Sequence, residues 1–143
     1  MASHAYIKLV PLSDKESVTT EEIKELFEYY KSITAKTGDQ LDWKYEDSAF
    51  PYEIKEMPES KGKWFYLYSN HDRYHSILIG VDKETVVEDD HEREQAYIQV
   101  TLSDASTFGD KGKANEFCKF LAKKLKAELH LFNGRIMYYY PRK

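Results

Sequence analysis

Residues 64–68 (Trp-Phe-Tyr-Leu-Tyr) and 74–81 are two runs of β-forming side chains, separated only by Ser69-Asn70-His71-Asp72-Arg73, which has turn composition. So short a connection cannot carry the crossover that parallel strands need, so the two runs form an antiparallel hairpin. The runs at 128–132 and 135–140 flank Asn133-Gly134, a dipeptide that favours the positive-φ pair of a two-residue hairpin turn. Residues 96–102 add a third member to the central meander. Residues 5–10, ended by Pro11, and a short run at 52–56 before Pro58 complete the strands. Any fold open to this chain is therefore built on an antiparallel sheet.

Two segments carry helical periodicity instead. Thr19-Thr20-Glu21-Glu22 has the form of a capping box, with Thr19 as cap and Glu22 reaching back. Ile23, Leu26, Phe27, Tyr30 and Ile33 follow at spacings of three and four, one apolar face of a helix that Gly38 is placed to stop. A second helix is predicted over 111–126, with Asp110 as cap and Ala114, Phe117, Cys118, Leu121 and Leu125 on its buried face. The element order is β-α-β-β-β-β-α-β-β. It implies an α+β fold, a two-layer sandwich of a mainly antiparallel sheet with two amphipathic helices on one face. The 143 residues, with 41% apolar and 15% aromatic, suffice for one domain over 1–143 with its own core, and no Gly-, Pro- or Ser-rich linker divides them.

No apolar run is long enough for a membrane span, the start of the chain lacks a secretion signal, and the single Cys118 excludes an internal disulfide framework. A cytoplasmic location is expected. On the second helix the thiol reads as a small buried hydrophobe with no activating neighbour in sequence.

Charge is laid out unevenly. Residues 111–143 hold nine basic side chains against two acidic ones, +7; taken from a total of −4, the rest of the chain carries −11. Such asymmetry can mark a binding surface, although lysines also suit a solvated helix face and its C-terminal dipole. Lys119, Lys123 and Lys126 recur at helical spacing as a ridge, and with Arg135, Tyr138 and Tyr140 they form the candidate binding surface. The tyrosines equally suit packing on a pleated sheet. Residues 82–94, with seven acidic side chains against Lys83 and Arg93, are expected to be a solvated acidic loop.

Chemistry is harder to find. His71 and His75 lie four apart, and with Asp89 or Asp90 and His91 they are the one set from which a metal site could be drawn; solvated turn residues are the plainer reading. No nucleophile elbow, phosphate loop or dinucleotide glycine pattern is present, and no cofactor is called for.

Ala5-Tyr6-Ile7-Lys8-Leu9-Val10-Pro11, Ile33-Thr34-Ala35-Lys36-Thr37-Gly38 with Leu41-Asp42-Trp43, Phe50-Pro51-Tyr52, and the ending Gly134-Arg135-Ile136-Met137-Tyr138-Tyr139-Tyr140-Pro141 carry a resemblance over the whole chain. The chain resembles a small uncharacterised family from spore-forming Gram-positive bacteria, catalogued as a domain of unknown function. The resemblance implies a cytosolic α+β protein and brings no activity or site residues. The leading expectation is a non-enzymatic protein-interaction module with an asymmetric charge surface, docking an unknown protein partner or a second copy. The alternative is a metal-assisted hydrolase using His71, His75, Asp89 and His91. A weak nucleic-acid binder through the basic C-terminal region comes third, disfavoured by the acidic remainder.

Overall fold

A computed structural model describes residues 3–11, 13, 17–41, 52–60, 62–69 and 74–140, with 34–41 and 60 as backbone only. The elements are β1 (Ser3–Lys8), α1 (Thr20–Leu41), β2 (Glu53–Lys55), β3 (Trp64–Tyr68), β4 (Ser76–Glu88), β5 (His91–Leu102), α2 (Phe108–Leu125), β6 (Glu128–His130) and β7 (Ile136–Tyr138), with one 3-10 turn at Pro58–Ser60. All seven strands join one sheet in the order β2-β3-β4-β5-β1-β6-β7, and every neighbouring pair is antiparallel. The α+β class and the element order expected from the sequence are both present.

The helices cover one face. Alternation along the strands turns Ala5, Ile7, Phe65, Leu67, Ile77, Ile79, Ile98, Val100 and Leu129 toward them, each at most 1% exposed. Phe27 of α1 meets Phe65 of the sheet and Phe117 of α2 edge to face, at centroid distances of 6.4 and 5.4 Å. Such pairs add about 0.5–1.5 kcal/mol each beyond the area they bury. The capping box of α1 forms as the sequence predicts: Glu22 N–H donates to Thr19 Oγ1 at 3.2 Å and Thr19 N–H donates to Glu22 Oε1 at 3.1 Å. The helix then runs through Gly38 to Leu41 rather than stopping there.

Three local expectations are corrected. Thr107, not Asp110, caps α2; Asp110 is the third helical residue and closes the capping box from inside. Residues 82–94 are no loop, because β4 and β5 continue pairing from Asp82↔Tyr97 to Glu88↔His91. The positive-φ pair is not Asn133-Gly134 but Asp89-Asp90, at φ 51° and 64° between those two strands. At the other hairpin only Gly134 has positive φ (86°). Its N–H donates to Leu131 C=O and Leu131 N–H to Arg135 C=O, which makes a three-residue loop.

Candidate binding surfaces

The face of the sheet away from the helices is built from the other set of alternating side chains. Registered across the strands, Tyr66 lies beside Leu78 and Leu78 beside Thr101, while Trp64 opposes Gly80 and Gly80 opposes Gln99. Gly80 lets the strands fit closely here: a Cβ on it would stand 3.2 Å from the Cβ of Trp64, which would have to give by a few tenths of an ångström. The resulting depression, with Asp82 and Gln99 in its wall, encloses about 270 Å³. A larger one of about 590 Å³ lies at the β2 end of the same face, on the other side of Tyr66.

Beneath that end sits the most connected polar group among the described residues. Asp110, with no exposure, accepts hydrogen bonds from the Tyr52 hydroxyl (2.6 Å), the His75 and Ser76 N–H groups (2.9 and 3.3 Å) and the Thr107 N–H (2.9 Å). Burial, followed by the Asp110 carboxylate, pushes the Tyr52 phenol far above its usual range. The group therefore ties β4, the α2 N-terminus and Tyr52 together as a structural clamp. The sequence offers Asp110 only a capping role, because its partners other than Thr107 lie 34 to 58 residues away.

Beyond Val81 and Ala96 the outer edges of β4 and β5 lose their neighbours, and the pair projects alone as a ribbon. Seven unflanked residues, Asp82 to Glu88, correspond to about 20 Å. One side of the ribbon is braced by a polar ladder. Lys8 Nζ pairs with Glu84 at 3.1 Å, Gln95 donates to Glu84 at 3.2 Å, and Arg93 donates to Gln95 at 2.8 Å and, through two nitrogens, to Glu88 at 3.0 and 3.2 Å. The Arg93 hydrogen bonds hold Glu88 below its usual range. On the other side Val87 is 67% exposed.

The predicted site residues divide between these features. Lys119, Lys123 and Lys126 are exposed on the outer side of α2, and among the described residues no ion pair engages Lys119 or Lys123. Beside them Lys124 Nζ lies 4.5 Å from the ring centre of Tyr29, which stacks on Phe120. Arg135 is in the β6–β7 loop. Tyr138 and Tyr140 are on the uncovered face, where their rings meet at 5.8 Å and Tyr140 donates to Glu128 at 3.3 Å. The lysines and the tyrosines thus occupy opposite layers and do not form one surface. The metal set is also dispersed. His75 precedes β4 and donates to or accepts from Ser76 Oγ at 2.9 Å, whereas Asp89 and His91 stand at the far end of that 13-residue strand, about 40 Å along it. His71 lies outside the described residues. Among the described residues no three metal-ligating side chains come together. Cys118 is fully buried on α2, and burial pushes its thiol up to about 12.

The chain matches the family described as "Domain of unknown function (DUF1885)" over residues 3–141. It is similar to a crystal structure of a protein of unknown function from Bacillus stearothermophilus, at 37% sequence identity over 90% of this chain and 94% of that one, with a TM-score of 0.52. No curated protein matches it. These likenesses indicate no catalytic or binding function.

Proposed function

The chain belongs to the DUF1885 family of domains of unknown function, and we propose that it is a non-enzymatic protein-interaction module whose partner is a second copy of itself. The observation that carries this reading is the complementarity of two exposed features. The ribbon tip presents Val87 among Glu88, Asp89, Asp90 and Glu92. The α1–α2 surface presents the half-exposed Tyr29 with Phe120, ringed by Lys119, Lys123 and Lys124. Glu116 on this surface is engaged by Lys113 and Glu28 by Lys31, while Glu25 borders it. Exposed ion pairs contribute only about 0–1 kcal/mol each, so the charges steer and orient while Val87 against the rings supplies apolar burial. The association is accordingly weak and salt-sensitive.

Sedimentation velocity at about 0.01 M and about 1 M salt, where the screening length falls from about 30 Å to about 3 Å, tests this. Self-association should appear at low salt and vanish at high salt. Lys119→Glu with Lys123→Glu should abolish it, and mixing that variant with Glu88→Lys/Glu92→Lys should restore a heterodimer. A monomer at low salt overturns the reading. A cytoplasmic location, as in spore-forming Gram-positive bacteria, belongs to the same proposal. It is supported by the Bacillus source of the similar structure and by the lack, among the described residues, of a helix long and apolar enough to cross a membrane.

A further inference from the structure

We infer that the larger depression on the uncovered sheet face is a binding site for a small organic anion with a planar apolar body, such as an aromatic carboxylate or sulfonate. This inference does not depend on self-association. The cavity, about 590 Å³, lies in the size range of small-molecule sites. Tyr66, Tyr68 and Met57 form its apolar walls, and Tyr68 and Met57 keep 37% and 39% exposure, so apolar surface is left for a ligand to cover. Among the described residues, the polar side chains that line it are Lys55, His75 and two serines, Ser76 and Ser103. Each can donate a hydrogen bond and none is a carboxylate. Lys55 Nζ stands 5.6 Å from the ring centre of Tyr68, a cation held against an aromatic wall. Its ion partner Glu53, at 3.7 Å, is 73% exposed and does not line the cavity, so a ligand anion can compete for the ammonium from the less solvated side.

The floor is fixed before any ligand arrives. The backbone N–H groups of His75 and Ser76 are held by buried Asp110, and Ser76 C=O accepts from the Ser106 hydroxyl at 2.9 Å. A lining set in advance loses little ordering entropy on binding. The neighbouring depression, across Tyr66, has Asp82 in its wall and disfavours the same ligand.

The probe is 8-anilinonaphthalene-1-sulfonate, with N-phenyl-1-naphthylamine as the uncharged counterpart, titrated into the full chain by calorimetry and followed by amide chemical shifts. The expected result is one saturable site, with shifts centred on Tyr68, His75 and Ser76. Affinity should drop about tenfold for the uncharged body and for Lys55→Gln, and further for Lys55→Glu, in line with the loss of one partly desolvated charge contact. Lys55 is on a three-residue edge strand, so both variants should melt as the parent does; Tyr68→Ala should weaken both probes together. Equal affinity for the charged and uncharged bodies, indifference to Lys55→Gln, or shifts confined to another surface would each overturn the assignment.

Discussion

Asp110 is a buried carboxylate with four donors from three separate segments converging on it, and its removal takes one shared acceptor away from all of them. Hydrogen bonds to a charged group contribute about 1.5–3 kcal/mol each, and a buried donor left unpaired costs about 1–3 kcal/mol. Asp110→Ala takes both acceptor oxygens away from the backbone N–H groups that converge on them. It should destabilise the fold by more than about 3 kcal/mol. Tyr52→Phe removes one donor and leaves the carboxylate its backbone partners, so about 1.5–3 kcal/mol is expected. Urea unfolding distinguishes the two by midpoint at an unchanged slope. If the two variants cost the same, the backbone donors contribute nothing and Asp110 is no clamp. Cys118, by contrast, shows a residue whose role the sequence did disclose. Its place on the apolar face of α2 foretold a buried thiol, and burial alone accounts for its raised pKa.

At the scale of elements, legibility followed the range of the determining interactions. The α1 capping box and the apolar face from Ile23 to Ile33 are local, and both were readable. The β3–β4 and β6–β7 hairpins were readable as pairings from chain spacing. The ribbon was not, because Glu, Asp and Lys are depleted in strands and their abundance at 82–94 masked the Val86-Val87 signal. What makes it a strand pair is cross-strand chemistry from Lys8 to Glu88, invisible without the register. The candidate site was less legible still. Lining residues from β2, β3, β4 and the end of β5 meet only once the sheet is ordered, so no sequence spacing announces them. The turn itself carries a testable tension: two aspartates, like-charged and both left-handed, occupy positions that Asn-Gly suits better. Asp89→Asn/Asp90→Gly should stabilise the ribbon by about 1 kcal/mol, since a left-handed residue with a side chain costs about 1–2 kcal/mol. Hydrogen exchange of the amides at 84–95 should slow several-fold; unchanged exchange would show that the turn does not limit ribbon opening.

For the whole molecule, core and ribbon are separable by register. The buried apolar cluster draws on β4 as far as Ile79 and on β5 from Ala96 onward, and none of its members comes from 82–95. The ribbon contributes instead a block of acidic charge carried away from the body, while the lysines of α2 lie on the helical layer. That separation keeps the acidic block from neutralising the lysines within one copy, and attraction between copies is what it leaves available. The register also specifies how to remove one without the other. Glu84 faces Gln95 in a pair whose backbone groups point at each other, so replacing residues 85–94 by Asn-Gly closes a two-residue hairpin on an existing hydrogen-bonded pair. The shortened chain keeps the Lys8–Glu84–Gln95 contacts, in which Gln95 is buried, and loses those of Arg93 to Gln95 and to the exposed Glu88, which contribute little to global stability. It should therefore melt in one cooperative transition within a few degrees of the parent, about the shift that 1 kcal/mol produces in a domain of this size. In low salt it should sediment as a monomer at concentrations where the parent associates. A shortened chain that still associates would place the contact elsewhere on the body, and one that fails to fold would make the ribbon part of the core rather than an appendage to it.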